Sequence, residues 1–405
     1  MRILMISDVY FPRINGVSTS IQTYSKTLTD QGCQIDLVVP QYEQTTDDEQ
    51  NIYRVAARKV PLDPEDRLMN KKQLRLQAEK LIKQHKYDLI HIQTPFLAHN
   101  IGIELARKHQ LPVVETYHTY FEEYMYNYIP FLPKQFLRML VRRFTNKQCN
   151  ALDALIVPSS AMLEVLHNYG VKTPSEILPT GISPELFGKG NGQAFREKQG
   201  IEPEAPVMVH VGRVSFEKNI DFLIHMHKEL LQSVPKAILL IAGEGPATKH
   251  LKKLCEKIGT VHNVKFVGYL DRKQELQSCY AAGDAFVFSS RTETQGLVLL
   301  EAMACGTPVV STAIMGTKDI LDSGYGALVA EENHTDFANK VALLLNDKKY
   351  QEQLSFEAKD YAKEWSIDHF TGKMINFYER TLKSFHEPET VSRQASNKEA
   401  VTTTA

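Results

Sequence analysis

Two acids eight positions apart, Glu293 and Glu301, bracket the start of an unusually apolar segment. Residues 296–304 have helical length and strong helix formers. Leu297, Val298, Leu299, Leu300, Ala302, Met303 and Ala304 leave such a helix no polar face, and Glu301 is its only charge. A helix apolar all round is a buried helix, and a carboxylate carried into it needs a partner. Apolar runs of strand length stand at 285–288 and 307–310, so the unit reads strand, loop, helix, strand, as in a parallel α/β sheet. Glu293 then falls where a strand ends and a helix begins, the edge at which open α/β sheets take ligands. Unpaired N–H groups at a helix start favour a phosphate. One acid is thus placed to accept hydrogen bonds from hydroxyls beside a phosphate, and the other to reach them from the helix. The plainer alternative is an acid complementing the helix dipole plus a core Glu paired to Arg or Lys. The apolar helix and the strand-end location favour a ligand.

Cations for that phosphate occur about eighty residues earlier. Residues 207–211 read as a strand, followed by Gly212-Arg213-Val214-Ser215-Phe216-Glu217-Lys218-Asn219 and a helix from about Asn219. Glycine lets a ligand approach the backbone, and Arg and Lys neutralise its charge. As plain surface residues these cations would oppose the helix dipole. Near the N-terminus a strand at 2–7 leads through a loop to Gly16 and a helix at 18–31. That loop has one glycine, where a dinucleotide site would show G-x-G-x-x-G.

With 405 residues, two domains are expected, and 43% hydrophobic and 23% charged residues suit a globular chain. A net charge of -1 offers no global argument for nucleic acid, and none is expected as a partner. Five scattered cysteines read as free thiols of a reducing cytoplasm. No secretory leader and no bilayer-spanning apolar segment are read. Further strands are expected at 34–39, 89–92, 113–115, 154–157, 176–178, 238–242 and 265–267. Helices are expected at 67–84, 96–109, 134–147, 161–169, 335–346, 350–364 and 367–384. Residues 43–51 form a polar loop. Pro and Gly punctuate 179–192, which puts a linker at 181–200, and 386–405 lack apolar periodicity and read as disordered.

The run Glu293-Thr-Gln-Gly296-Leu297-Val298-Leu-Leu-Glu301-Ala-Met-Ala-Cys-Gly306-Thr-Pro308 resembles the signature of retaining family 4 glycosyltransferases. The Gly212-Arg213 and Lys218-Asn219 pairs resemble the same family's diphosphate-binding element. The resemblance implies the GT-B fold, an α/β architecture of two Rossmann-like domains whose parallel sheets face each other across a cleft. Residues 1–180, completed by a helix at 366–385, would bind the acceptor; 201–365 would bind a nucleotide sugar. Trp365 would pack where that last helix crosses back. Arg213, Lys218 and the helix start at Gly296, Leu297 and Val298 would hold the donor diphosphate. Glu293 would fix sugar hydroxyls and Glu301 the ribose, and a loop at Gly16 would touch the diphosphate. His118, in an aromatic loop after strand 113–115, would line the sugar–acceptor junction. Loops 243–246 and 268–270 would border the nucleotide. No D-x-D stands at a strand end, so no metal and no cofactor are expected. Retention implies an α-linked product.

The run from Tyr117 and His118 to Tyr124 resembles members that glycosylate membrane lipids, such as diacylglycerol glucosyltransferases, and the overall pattern is also similar to phosphatidylinositol mannosyltransferase-like members. Lys134, Arg138, Arg142, Arg143 and Lys147 then alternate with Phe136, Leu137, Leu140, Val141 and Phe144, the pattern of an interfacial helix. A core-facing helix with a solvated basic face is the plainer reading. Lys71, Lys72, Arg75, Lys80 and Lys83 add to an anionic-surface reading. The expectation is a cytoplasmic enzyme, peripheral on the inner face of the cell membrane. It would carry a hexose from a UDP-sugar to a glycerolipid or other envelope glycan. A GDP-mannose-dependent mannosyltransferase, a nucleotide-sugar epimerase on the same fold and a non-catalytic sugar-nucleotide sensor are the alternatives.

Overall fold

Strands covered on both faces read as near-continuous apolar runs, and this chain has two families of them. The computed structural model describes residues 1–43, 45, 50–60, 63–118, 120, 133–272 and 274–387, except the side chains of 63–66 and 134. The expected tail from 388 onward, and residues 119 and 121–132 of the aromatic loop, lie outside the described residues.

The first family comprises β1 (Arg2–Ile6), β2 (Gln34–Pro40), β3 (Ile52–Val55), β6 (Leu89–Ile92), β7 (Val113–Thr116), β8 (Ala154–Val157) and β9 (Ser175–Ile177). They form one parallel sheet in the order β3-β2-β1-β6-β7-β8-β9. β4 (Ala57–Val60) and β5 (Asp63–Met69) make a separate antiparallel hairpin. The second sheet joins β10 (Val207–Val211), β11 (Ile238–Ala242), β12 (Val264–Gly268), β13 (Ala285–Phe288), β14 (Val309–Ser311) and β15 (Ala327–Val329), also parallel, as β12-β11-β10-β13-β14-β15. Each order reverses once, between β1 and β6 and between β10 and β13. Such switch points open the crevice in which doubly wound sheets bind ligands.

The helices α1 (Gly16–Asp30), α2 (Lys71–Gln84), α3 (Leu97–His109), α4 (Lys134–Cys149) and α5 (Ser160–Asn168) serve the first sheet. The next six are α6 (Pro184–Phe187), α7 (Gly192–Lys198), α8 (Ile220–Leu230), α9 (Thr248–Ile258), α10 (Glu275–Ala281) and α11 (Leu297–Ala304). Last come α12 (Thr317–Leu321), α13 (His334–Asn346), α14 (Lys348–Glu364) and α15 (Ile367–His386).

Three expectations change. The helix expected over 67–84 begins only at Lys71, because Asn70 takes the N-cap and accepts from Gln73 N, and the residues before it belong to the β4–β5 hairpin. The stretch 181–200 is not a bare linker, since α6 and α7 insert Phe187 and Phe195 into the core beneath the second sheet. Gly296 lies outside α11 as its N-cap, in a left-handed conformation.

The chain crosses between the domains at two adjoining points. Ile182 donates to Trp365 O and accepts from Ile367 N, at 2.9 and 2.8 Å. A Cβ at Gly181 would lie 2.5 Å from Ile367 Cα, so only glycine permits this approach. Trp365 packs edge-on to Tyr361 and tilted against Phe370 at the junction, where the sequence placed it. From there α15 returns to the first domain. It buries Phe370, Met374, Phe377 and Tyr378 against Ile21, Tyr24 and Leu28 of α1. Phe377→Ala should therefore lower unfolding free energy by about 3–5 kcal/mol, read by urea titration; an unchanged midpoint would show that α15 is not part of the first domain's core.

Candidate active site

The loops that follow β10, β11 and β13 are pressed together at the ends of those strands. Val214 N donates to Glu244 O at 2.9 Å. Gly243 has φ +125°, and a Cβ there would meet Gly212 O at 1.9 Å. Beyond Arg213 the chain makes one 3-10 turn, Phe216–Lys218, and Asn219 turns left-handed at φ 55°. The helix expected from Asn219 therefore starts at Ile220. The Asn219 amide donates to Ser289 O and to Glu332 Oε1, both at 3.1 Å, and Ser289 Oγ donates back to Asn219 O at 2.9 Å. This staples the turn to the end of β13 and brings Lys218 Nζ 2.5 Å from Glu293 Oε1. Each side chain of the pair keeps about a fifth of its surface exposed. Arg213 is half-buried on the same loop.

Immediately after Glu293 comes the start of α11. Gly296, at φ +99°, leaves no room for a Cβ, which would meet Thr317 Cγ2 at 2.8 Å. No side chain caps this helix, so its first N–H groups, at Leu297 and Val298, are available to an acceptor.

Glu301 has the partners that its burial requires. Only 1% exposed, it accepts from the Arg272 guanidinium and from Tyr280 Oη, the latter at 2.7 Å. The carboxylate raises the Arg272 pKa, and burial pushes the Tyr280 phenol well up, with the adjacent carboxylate adding to it. These bonds hold Glu301 beside the loop after β12, where Tyr269 is half exposed.

Across the cleft, His118 follows β7. Its main-chain oxygen accepts from Thr294 Oγ1 at 3.1 Å, so the end of β7 meets the end of β13 and the carboxyl edges of the two sheets face each other. Its Nε2 lies 3.3 Å from Gln93 Oε1, and burial lowers its pKa to about 4, which keeps the imidazole neutral near pH 7. Under it, His91 bridges Thr116 Oγ1 and Tyr378 Oη, each at 2.8 Å. Gly16 opens α1 behind an Asn15 cap, and a Cβ there would meet nothing within 4 Å. Asp8, at the end of β1, receives N–H bonds from Leu97 and Ala98 and so caps α3.

The structure thus joins Lys218 to Glu293 next to the α11 start, and sets His118 against the same loop; Glu301 instead faces Arg272 and Tyr280. Sequence reasoning gave no role to Thr294, Gln295, Arg272, Tyr280 or His210. His210 is fully buried on β10, with Nδ1 3.2 Å from Val287 O. Thr294 and Gln295 lie between the two acids, which was the one available signal.

Comparison with known proteins identifies the family. A family profile described as Glycosyltransferase Family 4 matches residues 14–186, and one described as Glycosyl transferases group 1 matches 191–361. Alpha-monoglucosyldiacylglycerol synthase of Streptococcus pneumoniae is 31% identical over 392 residues, which span 93% of this chain and 85% of the relative. The chain belongs to glycosyltransferase family 4. It is a hexosyltransferase. Sulfoquinovosyl transferase SQD2 of Arabidopsis thaliana is 27% identical over 92% of this chain and 72% of its own. Among solved structures, sucrose-phosphate synthase from Thermosynechococcus elongatus superposes with a TM-score of 0.76 at 20% identity, covering 95% of this chain and 99% of that one. Anabaena Alr3699/HepE in complex with UDP-glucose gives 0.73 at 19% identity, over 94% of the transferase and 100% of the neighbour. These likenesses carry the GT-B architecture.

Burial also sets a pH dependence. His91 is held neutral to about pH 3, and His210 and His227 to about pH 4. In the unfolded chain all three take up protons near pH 6.5. Between those limits the unfolded state binds more protons, so stability falls as pH drops, by up to ~1.4 kcal/mol per unit for each group. Asp8, raised to about 6 by burial, acts in the opposite sense below that pH. Urea midpoints at pH 7, 6 and 5 should descend in that order; a flat or rising series would show that these histidines are not held neutral.

Proposed function

We propose that this hexosyltransferase moves a hexose from a UDP-sugar to a membrane glycerolipid or other envelope glycan, with retention at the anomeric carbon and an α-linked product. The observation that carries the reading is the 2.5 Å Lys218–Glu293 pair at a sheet switch point, beside an uncapped helix start and facing His118. Before the donor binds, each charge neutralises the other. A diphosphate competes for Lys218, and with it for Arg213 and the N–H groups of Leu297 and Val298. Glu293 is then released to accept hydrogen bonds from sugar hydroxyls. Glu301, enclosed with both oxygens taken by Arg272 and Tyr280, fixes Arg272 and the loop after β12 at the ribose end and does not itself accept from the ribose hydroxyls, and the backbone at Gly16 closes over the diphosphate.

In the transfer, the bond from the anomeric carbon to the diphosphate oxygen breaks and one to the acceptor oxygen forms. The acceptor's proton passes to the departing diphosphate, which can serve as base on the same face, so no protein nucleophile is required. Arg213, Lys218 and the helix dipole stabilise the charge on the leaving group, as preorganised groups do most effectively in a water-poor site. No metal is assigned a part. His118, neutral and fixed by Gln93, lines the sugar–acceptor junction.

The acceptor assignment draws on the relatives named for diacylglycerol and sulfoquinovosyl products and on α4. This helix buries Leu137 and Val141 yet leaves Phe136, Met139, Leu140 and Phe144 about half exposed. A core-facing helix with a solvated basic face does not account for four exposed large apolar side chains. Beside them, Arg138, Arg142, Arg143 and Tyr169 border a shallow hollow of ≈ 490 Å³. The second basic stretch contributes less than its sequence suggests, because Arg75 pairs with Glu104 and Lys83 with Glu79. Among the described residues no helix is long and apolar enough to cross a membrane. The proposed location is peripheral, on the cytoplasmic face.

Lys218→Ala and Glu293→Gln should each lower kcat/KM by about 10²–10³-fold with the melting profile retained. Full activity in both would remove the pair from the mechanism. The assay should offer UDP-glucose, UDP-galactose and GDP-mannose, each with and without a diacylglycerol acceptor. A product formed without acceptor would indicate an epimerase, and turnover with GDP-mannose alone would replace the donor assignment.

Flotation with phosphatidylglycerol vesicles should carry the wild-type protein upward and leave a Phe136→Ser/Leu140→Ser variant behind. Equal flotation of the two would take α4 out of membrane contact.

A further inference from the structure

The acids of the donor site are separated from the first domain by a single loop, and each of its residues has a different neighbour. Glu293 pairs with Lys218, and Thr294 donates to His118 O. Gln295 turns the other way and is 7% exposed. Its Oε1 accepts from Thr180 N at 2.8 Å, and its Nε2 donates to Thr180 O at 2.7 Å. One side-chain amide thus satisfies both main-chain groups of one residue, in the manner of a strand partner. Thr180 immediately precedes Gly181 and Ile182, where the chain crosses between domains. Thr180 Oγ1 continues the contact to Ser20 Oγ at 2.8 Å, and Tyr24 Oη donates to Pro179 O at 2.6 Å. Ser20 and Tyr24 both belong to α1, the helix that begins at Gly16.

We propose that Gln295 is a positioning residue for the transfer reaction, a clasp that sets the Gly16 end of α1 over the donor diphosphate and holds the His118 loop in register with Glu293. The physical case is geometric. The groups that hold the nucleotide all lie on the second domain, whereas Gly16 and His118 lie on the first. A transfer step needs both sets aligned, and small misplacement of reacting groups is costly in rate. Gln295 is two residues from Glu293 and bonds directly to the crossing segment, so it transmits the position of one set to the other. Buried amide bonds to a backbone N–H and C=O are directional, and losing them leaves Thr180 with unsatisfied groups. This inference rests on the proposed donor site.

The test compares UDP affinity by calorimetry with transfer kinetics in Q295L, which keeps the bulk of the side chain and removes its amide. The expected result is UDP affinity within about 3-fold of wild type and kcat lower by about 10–100-fold, with a smaller change in donor KM. A purely structural role would depress the melting temperature without this split. Wild-type kcat in a folded Q295L overturns the clasp. If Q295L does not fold, Gln295→Asn carries the test. It keeps an amide but is one methylene too short to bond both Thr180 N and Thr180 O; reduced kcat at unchanged UDP affinity supports the clasp, and wild-type kcat overturns it. Lys218→Ala runs beside them as the check on the site itself. If it binds UDP as the wild type does, the donor-site reading fails, whatever Gln295 does.

Discussion

The last four residues of the loop between β13 and α11, 293–296, have to satisfy both domains at once, and most of the molecule is arranged to let them. Its acid is held by a lysine from the β10 loop, its threonine reaches the end of β7, its glutamine grips the segment between domains, and its glycine starts a buried helix. None of these contacts tolerates much displacement. The glycines around the loop show why: a Cβ on Gly316 would strike Thr294 O at 2.1 Å, and one on Gly296 would strike Thr317 Cγ2 at 2.8 Å. Close-packed loops of this kind hold polar groups rigidly, so charge developing in a reaction meets donors that need not reorganise.

The second constraint is electrostatic. The Lys218–Glu293 pair is accessible enough to exchange partners, whereas the Arg272–Glu301 pair is not, its carboxylate being almost wholly enclosed. The partly exposed pair suits a group that must trade one anion for another. The enclosed pair suits a fixed wall. Two acids eight positions apart thus take different physical roles because one lies at the helix mouth and the other a turn inside. Burial also keeps His91 and His210 neutral, as it does the half-buried His118.

The first domain adds a feature that packing alone does not explain. Helix α4 covers the core with Leu137 and Val141 and turns four large apolar side chains outward among arginines. Arg142 stacks on the Tyr169 ring at 5.3 Å, which anchors part of that face to the domain. An apolar surface of this kind has a hydrophobic contribution to gain from a lipid interface and none to gain from water.

Much of the fold was legible in the sequence. Strands such as Ile238–Ala242 and Ala285–Phe288 are apolar without interruption because both faces are covered, and α11, apolar but for Glu301, announced its own burial and the partner that Glu301 would need. That Lys218 and Glu293 lie near each other could be inferred because both stand in loops after strands that parallel topology brings together; that they pair directly could not. The hairpin at β4 and β5 escaped because its charged residues carry no clear period, and α6 and α7 escaped because proline and glycine suggested a linker while Phe187 and Phe195 supplied the burial. What only the tertiary structure decided are the contacts between a side chain and a distant backbone. Thr180 lies 115 positions from Gln295, and His118 O lies 176 from Thr294. A main-chain N–H or C=O is the same at every residue, so sequence can mark where a polar side chain must find a partner, but only the path of the folded chain determines which partner it finds.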